Sequence, residues 1–122
     1  MRIALWICGC LAFAALPVDG GDRLAMTVQP AQSFAPSFLR VRVKIEPSAE
    51  NRWLEVIADS DGFYRSSEIQ LDGDRAPVTI YFEFPGVPEG EYDIIGIVRD
   101  AAGHERSSVR HQVRVLGSDL SH

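Results

Sequence analysis

Between Phe38 and Glu46 the chain alternates without a break: Leu39, Val41, Val43 and Ile45 fall on one side, Arg40, Arg42, Lys44 and Glu46 on the other. Successive side chains of an extended strand point to opposite faces, so this segment can bury one face and wet the other only as a strand. Wound as a helix, the same residues would scatter charge around the whole surface. Val78–Phe84 repeats the pattern, with Val78, Ile80, Phe82 and Phe84 inward and Pro85 and Gly86 as its stop. Weaker runs at 24–29, 53–58, 63–71, 92–99 and 107–116 are bounded by turn pairs such as Asp61-Gly62, Asp72-Gly73 and Ala102-Gly103. No window carries a clean helical stripe. About seven short strands at regular spacing, without helices between them, predict an all-β antiparallel sandwich. Residues 30–37, with Pro30 and Pro36, read as a loop or irregular edge.

The first twenty residues belong to something else. Arg2 is followed by an apolar run from Ile3 to Leu16, closed by Pro17, Asp19, Gly20 and Gly21. This is the pattern of a secretory signal peptide, a short helix that is removed on export. The run is shorter than the roughly 20 residues a membrane-spanning helix needs. Small residues allow cleavage after Gly20, with Ala14 as the competing site. The expected organisation is therefore a signal peptide at 1–20 and one sandwich domain at 21–122, secreted or periplasmic, with no membrane span after signal removal. Both cysteines, Cys8 and Cys10, lie in the removed part, so the domain has no disulfide to lean on. Cleavage takes away one base and one acid, leaving the formal net charge at −5. With Lys44 as the single lysine and no long basic run, nucleic acid is not an expected partner.

The segment Val87-Pro-Glu-Gly-Glu-Tyr-Asp-Ile-Ile-Gly-Ile-Val-Arg-Asp-Ala-Ala-Gly103 resembles the E–F corner, F strand and F–G turn of bacterial immunoglobulin-like and fibronectin type III-like domains. The resemblance implies that Tyr92 is the corner tyrosine, entering the core and bonding back across the turn, with Ile94, Gly96 and Val98 inward after it. It implies fold and leaves function open. The missing inter-sheet cysteine pair excludes an antibody-type domain.

No nucleophile elbow, zinc-protease helix, phosphate loop or dinucleotide fingerprint occurs, and a small sandwich promises no deep cleft, so the chain is expected not to be an enzyme and to need no cofactor. A metal site is the alternative. Asp59, Asp61, Gly62 and Glu68 partly fit a calcium loop, although Ile57 stands where the first carboxylate belongs. His104 follows the Ala-Ala-Gly turn, where it is similar to a histidine of periplasmic copper-carrying sandwiches; their second histidine, at the mature N-terminus, has no counterpart here. His111 shares a face with Val109, Val113 and Val115 and reads as a core-edge residue.

Alternation also predicts an anomaly. If Tyr92, Ile94, Gly96 and Val98 face in, then Ile95 and Ile97 face out. On the neighbouring strand, with Leu54, Val56 and Ala58 inward, Trp53 and Ile57 face out too. A one-residue bulge would instead turn Trp53 into the core. Arg110 and Arg114 would border this patch from the last strand. An aromatic-aliphatic centre with an arginine rim is the composition of a partner-binding face, for a protein or an extracellular polymer. The function expected from sequence is thus an exported, non-catalytic binding or assembly module; a small periplasmic copper- or calcium-binding protein on the same scaffold is the other reading.

Overall fold

The computed structural model describes residues 24–117. The expected signal peptide, both cysteines, both candidate cleavage sites and His122 lie outside the described residues.

Eight strands run through the described residues: β1 (Leu24–Gln29), β2 (Gln32–Phe34), β3 (Ser37–Ile45), β4 (Trp53–Ser60), β5 (Phe63–Gln70), β6 (Thr79–Val87), β7 (Gly90–Arg99) and β8 (Glu105–Leu116). A single 3-10 turn at Gly73–Arg75 is the helical structure among them. The strands form a three-stranded sheet in the order β1-β3-β6 and a five-stranded sheet in the order β2-β8-β7-β4-β5. The two enclose one buried cluster. β3 contributes Leu39, Val41, Val43 and Ile45, none more than 5% exposed, and the other sheet contributes Leu54, Val56, Ala58, Ile94 and Val98.

Several expectations need correction. Residues 30–37 contain a strand, β2, where a loop or irregular edge is expected; it pairs parallel with β8, Gln32 opposite Arg114, so the sandwich is not wholly antiparallel. The chain leaves one sheet after Gln29 and joins the edge of the other, a switch that edge strands of packed sheets accommodate. Pro85 and Gly86 do not stop β6, which runs on to Val87. β6 is an edge strand, where a missing donor need not cost a ladder bond. Val78 precedes β6 and is 43% exposed instead of core. His111 does lie between valines on the inward side, yet it is exposed, because β2 pairs only with Arg114–Leu116 and leaves the β8 edge open upstream.

Tyr92 is 1% exposed, and its hydroxyl donates to the Pro88 carbonyl at 2.8 Å. Its ring meets Phe63 edge-on, with centroids 5.9 Å apart. Four residues along, Gly96 is buried where a Cβ would come within 3.3 Å of the Met26 sulfur, so glycine lets β1 lie close over β7.

The opposite end is held by polar bonds. Between Val98 and Arg99 the β7–β8 register slips, leaving Arg106 as the extra residue of a bulge. A bulge re-aims its side chain, and here the guanidinium turns onto the β3–β4 loop. Arg106 donates Nε to Asn51 Oδ1 at 3.1 Å, Nη1 to Glu50 Oε1 at 2.7 Å and Nη2 to Ser48 Oγ at 3.1 Å. Asn51, only 4% exposed, gives its amide to the Glu46 carbonyl.

Two stability predictions result. Tyr92→Phe removes one buried hydrogen bond and should cost about 1 kcal/mol, read as a lowered denaturation midpoint at unchanged slope. Arg106→Ala leaves the buried Asn51 oxygen without its partner and should cost about 1–3 kcal/mol. A midpoint equal to wild type in either case would mean the corner, or the loop staple, contributes nothing.

Candidate functional site on the outer face of the five-stranded sheet

Pairing between β4 and β7 is unbroken, with Ile57 opposite Ile95, Glu55 opposite Ile97 and Trp53 opposite Arg99. The β4–β5 register has no shift either, so no bulge turns Trp53 inward. Because Leu54, Val56 and Ala58 are fully buried, Trp53, Glu55 and Ile57 face out; Ile95 and Ile97 do so beside buried Ile94 and Val98. β8 sets Arg110 opposite Ile95 and Arg114 opposite Glu91. Trp53, Ile57, Ile95, Ile97, Arg110 and Arg114 therefore share one surface.

That surface differs from an open apolar patch. All four apolar side chains are half-buried. Ile57 and Ile95 form a cross-strand pair with Ile97 diagonal to it, the spacing at which side chains on one sheet face touch. Trp53 is set apart from them by an ion pair that crosses the face: Arg99 Nη1 donates to Glu55 Oε1 at 2.7 Å. Ser66 of β5 donates to the other carboxylate oxygen at 2.7 Å. The Ser66 hydroxyl first, and Arg99 second, hold the Glu55 carboxyl below its ordinary value. The arginine rim faces acids on the next strand through loose, exposed pairs. Arg110 lies 3.9 Å from Asp93 and Arg114 3.5 Å from Glu91. Tyr64, 62% exposed opposite Asp59, extends the face on β5. Sequence reasoning missed Ser66, Tyr64 and the pairing of each arginine, since all three depend on cross-strand register.

The residues of the metal alternative are not brought together. Asp59 and Asp61 sit at the β4–β5 turn, and Glu68 lies opposite Glu55 further along β5. His104 is in the β7–β8 turn beyond Arg99, six positions of β4 away from Asp59, or about 20 Å at strand rise. Its local role is in that turn: Asp100 Oδ1 accepts the backbone N–H groups of His104 at 2.8 Å and Ala102 at 3.0 Å. Those bonds, the His104 one foremost, lower the Asp100 pKa. Among the described residues no three His, Cys, Asp or Glu side chains converge as a metal-holding group. Nor, among them, is any helix long and apolar enough to cross a membrane.

No protein-family model and no curated protein matches the chain. Solved structures with the same fold do. A variant of superoxide reductase (neelaredoxin) from Ignicoccus hospitalis superposes with a TM-score of 0.61 at 14% identity, over 80% of this chain and 85% of that one. The fibronectin(III)-like modules of Clostridium thermocellum CbhA give 0.53 at 15% identity, over 77% of this chain and 97% of theirs. A family 76 glycoside hydrolase from a bovine Bacteroides thetaiotaomicron strain gives 0.54 at 13% identity, over 75% of this chain and 20% of the enzyme. The chain is thus an all-β sandwich similar to fibronectin III-like modules, and these likenesses show fold alone. They correct one expectation. The exclusion of an enzyme leaned on the architecture, and superoxide reductases are built on this same architecture, so it carries no argument against catalysis.

The Glu55 cluster yields a pH prediction. A carboxyl with a lowered folded-state pKa contributes stability above its unfolded value and loses that contribution as pH falls through the folded one. The Glu55 contribution should therefore be complete above about pH 4.5 and be lost as pH falls further, through the lowered folded-state pKa. In a carboxyl-detected titration, Ser66→Ala and Arg99→Ala should each move the Glu55 midpoint upward; an unmoved midpoint in both would show that the crossing pair does not form.

Proposed function

We propose that this chain is an exported module, freed from a signal peptide at 1–20, that binds or assembles with a protein or surface polymer through the outer face of its five-stranded sheet. The observation that carries the reading is the outward Ile57–Ile95 pair with Ile97 beside it and Trp53 further along, in a sheet whose inner face is already filled. A strand needs apolar residues on one side to fold; a second apolar set on the other side costs solubility and has a use when a partner covers it. The ion-paired arginines fit the polar margin of such a surface, where charges steer and orient partners more than they bind them. Export is supported by the charged-apolar-small pattern of residues 2–20.

The test is Ile95→Ser together with Ile97→Ser in the mature chain. Both side chains are half-buried on the outer face, so the circular dichroism spectrum should be retained with a modest drop in melting temperature. Self-association in sedimentation velocity, or capture of a partner from the exported fraction, should fall sharply. Unchanged association with an intact fold would move the docking face elsewhere, and a chain that fails to fold would assign both isoleucines to stability.

A further inference from the structure

The other outer face has a different chemistry. On the three-stranded sheet every outward position of β3 from Phe38 to Lys44 is aromatic or basic: Phe38, Arg40, Arg42 and Lys44, all exposed. The flanking strands add Ala25, Thr27 and Gln29 from β1, and Thr79, Tyr81 and Glu83 from β6. Three cations thus stand in the ladder against one carboxylate, Glu83, with Glu46 following Lys44 just past the end of β3, in a chain whose formal net charge is −5. The arginines of the five-stranded face are each matched to an acid on the next strand. Here Arg42 and Lys44 have no ion pair among the described residues, and Arg40 reaches Glu83 only at 3.9 Å between two well-exposed side chains. Exposed pairs of that kind contribute little.

From this surface we infer a binding site for a linear carboxylated polysaccharide, lying along β3. The cations occupy alternate positions of a single strand, about 6.8 Å apart, and neither neighbouring strand continues them sideways. A line of charge one residue wide matches a chain-like polyanion; a membrane surface calls for cations spread over two dimensions. Three cations in a chain of formal net charge −5 are also few for nucleic acid, whose binding modules present a broad basic patch. Tyr81 lies directly across from Arg42 in the ladder and is 62% exposed. Phe38, 48% exposed, lies beneath the Arg40 guanidinium at 5.9 Å. A sugar ring resting on Tyr81 places its carboxylate at Arg42, whose planar fork donates two parallel hydrogen bonds to it. The site is separate from the Ile95–Ile97 face and stands whether or not that face binds a partner.

Polygalacturonate is the probe, titrated onto the wild-type chain at low and at physiological salt, with dextran, a single-stranded DNA oligomer and anionic phospholipid vesicles alongside. Salt-dependent binding of polygalacturonate in preference to the other three is expected. Arg42→Ser with Lys44→Ser should weaken it by about tenfold or more, and Tyr81→Ala several-fold without changing its salt dependence. All three residues are exposed, so each variant should keep the wild-type circular dichroism spectrum. Ile95→Ser with Ile97→Ser should leave polygalacturonate binding unchanged. The inference is overturned by no binding at low salt, by equal binding of dextran, DNA or vesicles, or by an Arg42/Lys44 variant that binds as well as wild type.

Discussion

Four side chains of β3, Leu39, Val41, Val43 and Ile45, are packed into the single cluster between the sheets, and that contact sets the phase of everything else. Each such side chain contributes roughly 1.5–3 kcal/mol on burial. Sliding β3 by one residue would lift them into water and drive Arg40, Arg42 and Lys44 into the core. An unpaired buried cation costs several kcal/mol, so the slipped register loses on both counts. With β3 locked, its ladders to β1 and β6 are locked as well, and the inward rows of β4 and β7 must match the volume left opposite. The outer faces are what remains after this requirement is met.

For this reason phase is the most legible property of the sequence. Leu39 through Ile45 inward, Leu54, Val56 and Ala58 inward, and Tyr92, Ile94, Gly96 and Val98 inward all follow from strict alternation, which the folded chain obeys on β3, β4 and β7. Less legible is anything set by a neighbour distant in sequence. Arg99 meets Glu55 across 44 positions, and Arg106 meets Asn51 across 55. Neither pairing follows from local pattern, because each depends on which strands lie side by side and on where a bulge falls. The exposure of Val78 and His111 has the same origin: both lie in apolar patterns, but one precedes its strand and the other is on an open sheet edge. β2 is hidden for a third reason, since three residues between prolines carry too little alternation to register as a strand.

The two outer faces differ in how many of their cations have an acid within reach. On the five-stranded face each arginine is matched with an acid on the adjacent strand, and the apolar residues lie among these pairs. On the three-stranded face the cations sit in one file, with Glu83 beside Arg40 and Glu46 past the end of the strand, and Arg42 and Lys44 have no ion pair among the described residues. Fold likeness does not distinguish the faces, since superoxide reductases and fibronectin III-like modules share the architecture. Function on such a scaffold resides in what each face presents.

Whether these surfaces act independently is a matter of distance and screening. The sheets pack about 10 Å apart, and the outward side chains add more on either side. The Debye length at physiological ionic strength is about 8 Å, so much of the field of the acids on the far face is screened before it reaches Arg42 and Lys44 through solvent. An overall net charge of −5 therefore does not cancel a local file of cations at that ionic strength. It acts mainly at low salt, where the excess acid opposes the approach of any polyanion. Part of the attraction gained by lowering salt is thus given back to repulsion from the rest of the molecule. Short-range contacts, the guanidinium fork and the Tyr81 ring, are screened far less and govern which polyanion stays.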